Sequence, residues 1–317
     1  MENTTKKNIK KIGIVGVGGG GNNAVIRMIH KNIKNVEFVI MNTECSSFNR
    51  VQNFPVTTLQ IGKETTKGLG CGANEVIGEQ CALENKEEIK NILSNMDMVF
   101  LTSGMGGGTG TGAIPIVAEI AQELGILTIG IVTKPFTFEG KQRQLRAERG
   151  IIKLRKNVDA LIVVLNDNLL KVLGDKTTIN EAFSVADDVL RQGIQSITDL
   201  LTTVGQINVD FADIKTIMSY KGICYMGIGQ ASGEDRLLKA TKEAIGNPLT
   251  ETKINNAKGI IFNVYGSENL GLSEINNSIK LINDVVDTEV NVIFGTVIDD
   301  TLEDTVKVTV IATGIDN

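Results

Sequence analysis

Gly104-Met105-Gly106-Gly107-Gly108-Thr109-Gly110-Thr111-Gly112 is the stretch on which the reading of this chain turns. The apolar run before it, Met98-Val99-Phe100-Leu101, reads as a buried strand. The run after it, Ala113-Ile114-Pro115-Ile116-Val117-Ala118-Glu119-Ile120, reads as a helix. Pro115 is expected in that helix's first turn, where a missing N–H costs nothing. Six glycines in nine residues leave the backbone N–H groups bare of side chains. With the positive end of a helix dipole behind them, such groups form an anion site suited to phosphates. Thr109 and Thr111 add hydroxyl donors.

The same pattern occurs upstream. Lys11-Ile12-Gly13-Ile14-Val15 is a short strand that runs into Gly16-Val17-Gly18-Gly19-Gly20-Gly21-Asn22-Asn23. A helix follows, with Ala24, Val25, Met28 and Ile29 at helical spacing. Gly16, Gly18 and Gly21 satisfy G-x-G-x-x-G, by itself a weak dinucleotide-binding signal. Its usual companion is an acid at the end of the second strand, placed to bind a ribose hydroxyl. Here that strand, about Val36 to Met41, ends in Asn42-Thr43, and Glu44 comes two residues later. A third glycine-rich loop is Gly68-Leu69-Gly70-Cys71-Gly72-Ala73-Asn74. Unbroken Val/Ile/Leu strands also read at 126–133 and 160–165, alternating with helical patterns. Such strands indicate a parallel sheet covered on both faces, with ligands bound at its carboxyl edge. The three glycine loops and the turns at 133–143 and 166–168 all fall on that edge.

Beyond residue 177 the pattern changes. Thr178 and Glu181 fit a capping box. Apolar residues from Ile179 to Leu201 then recur at three- and four-residue spacing, predicting a helix of about 24 residues, roughly 36 Å long. It reads as a connector packed between two domains. A smaller α/β (α+β) unit without a glycine loop follows, with strands near 223–228, 259–264, 290–294 and 306–312.

Composition narrows the function classes. The 317 residues carry a formal net charge of −5, which argues against a general nucleic-acid binder. No apolar run approaches the about 18 residues of a membrane span, so direct membrane insertion is not expected. The first ten residues read as a polar, frayed tail. Cys45, Cys71, Cys81 and Cys224 show no C-x-x-C spacing and read as reduced thiols. His30 is the only histidine, which leaves no histidine base for catalysis. A P-loop is excluded, because no lysine follows any glycine loop.

The motifs together resemble a known family. Gly106-Gly107-Gly108-Thr109-Gly110-Thr111-Gly112 is similar to the signature loop of the tubulin/FtsZ family of GTPases, and Asn208-Val209-Asp210-Phe211-Ala212-Asp213 to its second signature. Thr133-Lys134-Pro135-Phe136, Phe138-Glu139-Gly140, Asn166-Asp167 and Gly233-Glu234-Asp235-Arg236 resemble it in order and spacing. The likeness runs from about residue 10 to 315. It implies a Rossmann-like parallel-sheet GTPase domain over 11–177, a central helix over 178–203, a catalytic loop and short helix over 204–219, and a C-terminal domain over 220–317.

The resemblance also implies roles. Gly19, Gly20, Gly21, Gly72, Ala73, Gly104, Gly106, Gly107, Gly108, Thr109, Gly110 and Thr111 would hold the phosphates of GTP or GDP, with Mg²⁺ or a monovalent cation and no assigned side-chain ligand. Pro135, Glu139 and Arg143 would line the ribose and phosphates. Asn23, Asn166 and Asp187 would read guanine, and Phe183 would stack on it. Taken alone, Glu139 and Arg143 read as a surface ion pair and Phe183 as a core aromatic. Asp210 and Asp213, with Asn208, would enter the nucleotide site of the adjacent subunit in a head-to-tail filament. The implied activity is GTP hydrolysis to GDP and phosphate, activated by self-assembly in a cytoplasmic mid-cell division ring. Division proteins and membrane anchors would bind a C-terminal peptide that is expected to be absent here. Glu44 and Asn263-Val264-Tyr265-Gly266-Ser267 depart from the family pattern. Two other readings stay open on the residues. One is a Rossmann-type NAD or FAD oxidoreductase, which leaves residues 104–112 and Asp210 unexplained. The other is a nucleotide-dependent structural polymer without efficient hydrolysis.

Overall fold

The computed structural model describes residues 10–170, 177–202, 209–246, 249–286 and 289–315. The tail expected over residues 1–10, except Lys10, lies outside the described residues, and so does Asn208. The chain opens with β1 (Ile12–Val17), α1 (Gly18–His30), β2 (Glu37–Asn42), β3 (Val56–Gln60), α2 (Lys63–Thr66), α3 (Glu75–Glu84) and α4 (Lys86–Leu93). It continues with β4 (Met98–Gly104), α5 (Thr109–Glu123), β5 (Leu127–Lys134), α6 (Lys141–Arg155), β6 (Ala160–Leu165) and α7 (Asn166–Leu169). The long helix is α8 (Ile179–Thr202), followed by the short α9 (Phe211–Met218). The last part comprises β7 (Ile223–Ser232), α10 (Arg236–Gly246), β8 (Gly259–Gly266), α11 (Leu272–Val285), β9 (Asn291–Ile298) and β10 (Thr305–Thr313).

The strands form one sheet in the order β3-β2-β1-β4-β5-β6-β7-β10-β8-β9. β1 to β6 run parallel, as apolar strands covered on both faces do. Strand alternation sends Ile12, Ile14 and Phe100 to a core shared with α1, α8 and α9. It sends Val15, Val17 and Leu101 to a second core under α3, α4, α5 and α6. β10 is antiparallel to β7 and β8, and Tyr225, Phe262 and Val308 centre a third core beneath α10 and α11. The parallel and mixed halves meet at only two paired residues on each side, Leu161 with Ile223 and Ile162 with Cys224.

The long helix has the predicted 24 residues. Its capping box is formed, with Glu181 N–H donating to Thr178 Oγ1 at 3.2 Å and Thr178 N–H to Glu181 Oε2 at 2.7 Å. The atypical stretch at 263–267 faces this helix. Asn263 Nδ2 donates to the Ser196 carbonyl at 2.9 Å, and the Tyr265 hydroxyl donates to Asp199 Oδ2 at 3.0 Å. Burial raises the pKa of both Asp199 and Tyr265.

Two boundaries differ from the sequence reading. α1 begins at Gly18 and α5 at Thr109, so glycines expected in loops form the first helical turns. Pro115 accordingly lies inside α5 and not in its first turn, which removes one hydrogen bond to the Thr111 carbonyl. Packing outweighs that loss, because Gly110 through Ala118 are all buried. Glycine's low helix propensity hides such a turn from a sequence reading. The turn exists because a Cβ on Gly112 would stand 2.0 Å from the Glu75 carbonyl oxygen of α3, so only glycine lets the two helices touch.

Close backbone packing recurs in the C-terminal part. A Cβ on Gly229 would stand 2.0 Å from the Ala240 carbonyl oxygen. Gly229→Ala therefore pushes α10 away from β7 and lowers stability by about 1–3 kcal/mol in urea unfolding. An unchanged midpoint would contradict this packing.

Candidate functional site

β1 and β4 are neighbours, so α1 and α5 begin side by side at the carboxyl edge. Neither helix has a side-chain cap at its N-terminus. Both therefore present unpaired backbone N–H groups at one place, the requirement for binding an anion. The two loops interlock. A Cβ on Gly18, whose φ is +71°, would lie 2.7 Å from the Gly110 nitrogen, and one on Gly110 would lie 2.2 Å from Ser103 Oγ. Gly19 and Gly107 are different, because a Cβ there meets nothing within 4 Å and neither has a positive φ. Packing within the chain does not explain their missing side chains, and backbone left open in this way admits a ligand.

Gly106 has φ +103° and both sides of its backbone are pinned. Its N–H donates to Thr111 Oγ1 at 2.7 Å, and its carbonyl accepts from Arg146 Nε at 2.9 Å. Thr111 is buried. Its hydroxyl thus braces the loop, where the sequence reading placed a donor facing the ligand. Thr109 stands at the edge, its hydroxyl 2.8 Å from Thr43 Oγ1 and 3.3 Å from Cys71 Sγ. The third glycine loop closes against this point. Gly72 and Ala73 have φ of +53° and +60°, and Asn74 N–H donates to the Cys71 carbonyl at 2.9 Å, as in a type I′ turn.

On the other side of the edge, Glu139 Oε1 accepts the Phe136 N–H at 2.8 Å and Oε2 pairs with Arg143 at 3.0 Å. Pro135 and Asn166 line a polar cavity of about 130 Å³ with Lys134, Gln144, Glu148 and Asp167. Asn166 is buried, and its Oδ1 has no hydrogen-bond partner among the described residues. Such an atom calls for a donor from a ligand or water. Phe183 is 38% exposed, so it is not the core aromatic its type alone suggests. It stands edge-on to Phe136 at 5.4 Å. Asp187 follows one turn later on α8. Burial pushes its pKa up to about 6, against the pull of Arg27, whose Nε lies 3.1 Å from Oδ2. Asn23 Oδ1 accepts from Arg50 Nη1 at 3.0 Å. The Glu44 carboxylate accepts the Ser46 hydroxyl at 2.6 Å.

Asp210 and Asp213 are not brought to this edge. Asp210 caps α9, accepting the Asp213 N–H at 2.8 Å. The adjoining Phe211 ring lies 5.3 Å from Lys10 Nζ, and Lys10 pairs with Asp97 at 3.0 Å. Lys10 lies two residues before β1, and Asp97 immediately precedes β4. The start of α9 therefore sits at the amino edge of the sheet, about 20 Å from the glycine loops by strand length.

The sequence reading missed Thr43, Cys71, Arg146, Arg27 and Arg50. Thr43 had a usable signal, since it directly follows the carboxyl end of β2. The arginines had none, because their partners lie on elements remote in sequence.

Comparison with known proteins agrees with this geometry. Residues 11–174 match the Tubulin/FtsZ family, GTPase domain, and residues 222–316 match the FtsZ family, C-terminal domain. The chain is similar to an empty FtsZ dimer structure from M. jannaschii, with a TM-score of 0.92 and 38% identity over 98% of this chain and 90% of that one. It shares its fold with GDP-bound monomeric CetZ1 from Haloferax volcanii, with a TM-score of 0.83 and 22% identity over 97% and 95% of the two chains. The GTPγS-bound protofilament structure of CetZ2 from the same organism gives 0.81 and 18% over 97% and 94%. With its glycine loops in the matched GTPase domain and the remaining strands in the matched C-terminal domain, the chain belongs to the tubulin/FtsZ family of GTPases.

Proposed function

We propose that this chain assembles head to tail into filaments of the prokaryotic division ring, and that each subunit completes the hydrolytic site of its neighbour. The single observation that carries this reading is the separation of the two half-sites. A bare phosphate cradle lies on one edge of the sheet, and Asp210 and Asp213 lie on the opposite edge. A head-to-tail contact brings such edges together, and because it does not close on itself it builds filaments. The M. jannaschii relative is described as a dimer and CetZ2 as a protofilament.

In this reading, the backbone of Gly19, Gly20, Gly21, Gly104, Gly107, Gly108 and Gly110 surrounds the phosphates of GTP, with Thr109 donating a hydroxyl; Gly106, whose N–H is held by Thr111, shapes the loop around them. Gly72 and Ala73 cover them. Glu139 and Arg143 reach the ribose and phosphates beside Pro135. Asn23, Asn166 and Asp187 meet the base, and Phe183 stacks on it. The orphan Oδ1 of Asn166 supports the fit. No group of three or more metal-ligating His, Cys, Asp or Glu side chains occurs among the described residues. A Mg²⁺ ion would therefore have to take its ligands mainly from phosphate oxygens and water, its ordinary habit. When bound, such an ion would neutralise phosphate charge. Phosphoryl transfer needs mostly positioning and charge stabilisation, so Asp210 and Asp213 have only to orient and polarise the attacking water. No helix among the described residues is long and apolar enough to cross a membrane. We place the filament in the cytoplasm at mid-cell.

Two predictions follow from this arrangement. Gly107→Ala weakens GTP binding by about tenfold or more by blocking the approach to a backbone N–H, and leaves thermal stability unchanged. Gly110→Ala, whose Cβ collides with Ser103, lowers stability first. Equal nucleotide affinity for Gly107→Ala and wild type would exclude residue 107 from the site. The second concerns the shared site. Asp210→Asn keeps an acceptor for the α9 cap but removes the charge. It should bind GTP and sediment as filaments, with phosphate release slowed about 100-fold. Full turnover by dilute monomers below the assembly threshold would sink the shared-site reading.

A further inference from the structure

Four side chains join α1, residue 50 and α8 at the base end of the site. We propose that Arg27 and Arg50 determine the base specificity of the site by holding Asp187 and Asn23 in the one arrangement that matches guanine. This inference rests on the reading of Asp187 and Asn23 as base-contacting residues.

Guanine presents one acceptor, O6, beside two donors, N1–H and N2–H₂. Adenine presents a donor, N6–H₂, beside an acceptor, N1. A site that selects guanine must therefore offer a donor next to a fixed pair of acceptors. Arg27 secures the acceptors. Its Nε binds Asp187 Oδ2 at 3.1 Å, while its Nη2 donates to Ser184 Oγ at 2.7 Å, one turn earlier on α8. The guanidinium is thus held at two points; its single bond to Oδ2 fixes the carboxylate about its terminal bond and leaves Oδ1 and the second lone pair of Oδ2 as the pair of acceptors for the base. Arg50 secures the donor. An amide that accepts through Oδ1 from Arg50 Nη1, at 3.0 Å, has its Nδ2 hydrogens left to face outward. Released from Arg50, the Asn23 amide is free to flip and offer its oxygen to adenine N6.

The charge balance at Asp187 adds a pH signature. Burial raises its pKa to about 6, Arg27 and Arg50 oppose that rise, and the neighbouring Asp188 adds to it. Asp188 is itself paired with Arg191 at 2.7 Å. A protonated Asp187 has one acceptor fewer and no charge. Guanine binding is therefore full above the midpoint and falls as pH drops through it. Loss of Arg27 removes a lowering influence and moves the midpoint upward.

The test is displacement of a fluorescent GTP analogue from the full chain by GTP, ITP and ATP between about pH 5.5 and 8. ITP lacks only the N2 amine. In the wild type, GTP affinity falls below about pH 6. Arg27→Met should move that fall to higher pH and reduce the GTP-to-ITP affinity ratio by about tenfold, the size of one hydrogen bond to a charged group. Arg27→Lys, which restores the charge, should recover the midpoint. Arg50→Met should reduce the GTP-to-ATP ratio; Arg50 is exposed, so this variant keeps its fold even where Arg27→Met does not. If Arg27→Met weakens all three nucleotides equally with the midpoint unmoved, Arg27 only ties α1 to α8 and the inference fails. An unchanged GTP-to-ATP ratio in Arg50→Met overturns the role of Arg50. A wild type that binds no GTP overturns the nucleotide reading itself, a distinct outcome.

Discussion

Two backbones at the carboxyl edge of this sheet approach each other more closely than any side chain permits. Gly18 lies against Gly110, Gly20 against Gly104, and Gly21 against the Thr102 carbonyl. That contact draws the N-termini of α1 and α5 together, and their unpaired N–H groups converge as a result. The surrounding parts hold it in place. β1 and β4 set the spacing, Thr111 and Arg146 lock Gly106, and α3 packs directly on Gly112. The anion site is thus a by-product of how two helices are packed, with Gly19 and Gly107 left open because nothing else occupies the space in front of them.

Most of the architecture was legible in the residues. Unbroken apolar strands and helical spacing gave the parallel sheet, and Thr178 with Glu181 marked the start of α8. The glycine-rich turns of α1 and α5 were hidden for a physical reason. Their helical state is imposed by neighbours, against local propensity. The candidate site was legible in its backbone half, where glycine spacing is itself the chemistry. It was illegible wherever one side chain orients another. Nothing in the neighbourhood of Arg27 points to residue 187, and nothing near Thr111 says that its hydroxyl is turned inward toward Gly106. Phe183 shows the reverse case. Its residue type suggests a core position, and only its exposure on α8 frees its ring for a ligand.

The proposed chemistry takes its logic from distance. Acids near phosphates repel them and weaken binding, so keeping Asp210 and Asp213 at the amino edge lets a lone subunit hold nucleotide without that repulsion. In the proposed filament, a neighbouring subunit supplies the charge only when the contact forms. The sheet itself is the spacer, and its strand length sets the separation.

The two-residue ladder between β6 and β7 has a mechanical meaning of its own. Hydrogen bonds stitch the whole sheet together, yet at this seam the stitching nearly stops. The C-terminal strands draw their order from β10 and the third core, while β6 draws its order from β5. The backbone hydrogen-bond ladder is therefore thinnest between the two halves, and the first core carries the coupling across it. The seam is bridged by side-chain packing along α8 and α9, by the Leu165–Leu249 backbone bond and the Lys134–Glu251 ion pair, and by the Asn263–Ser196 and Tyr265–Asp199 hydrogen bonds. The molecule is accordingly held by its backbone within each half and chiefly by side chains between them, like two plates joined along a scored line with rods laid across it.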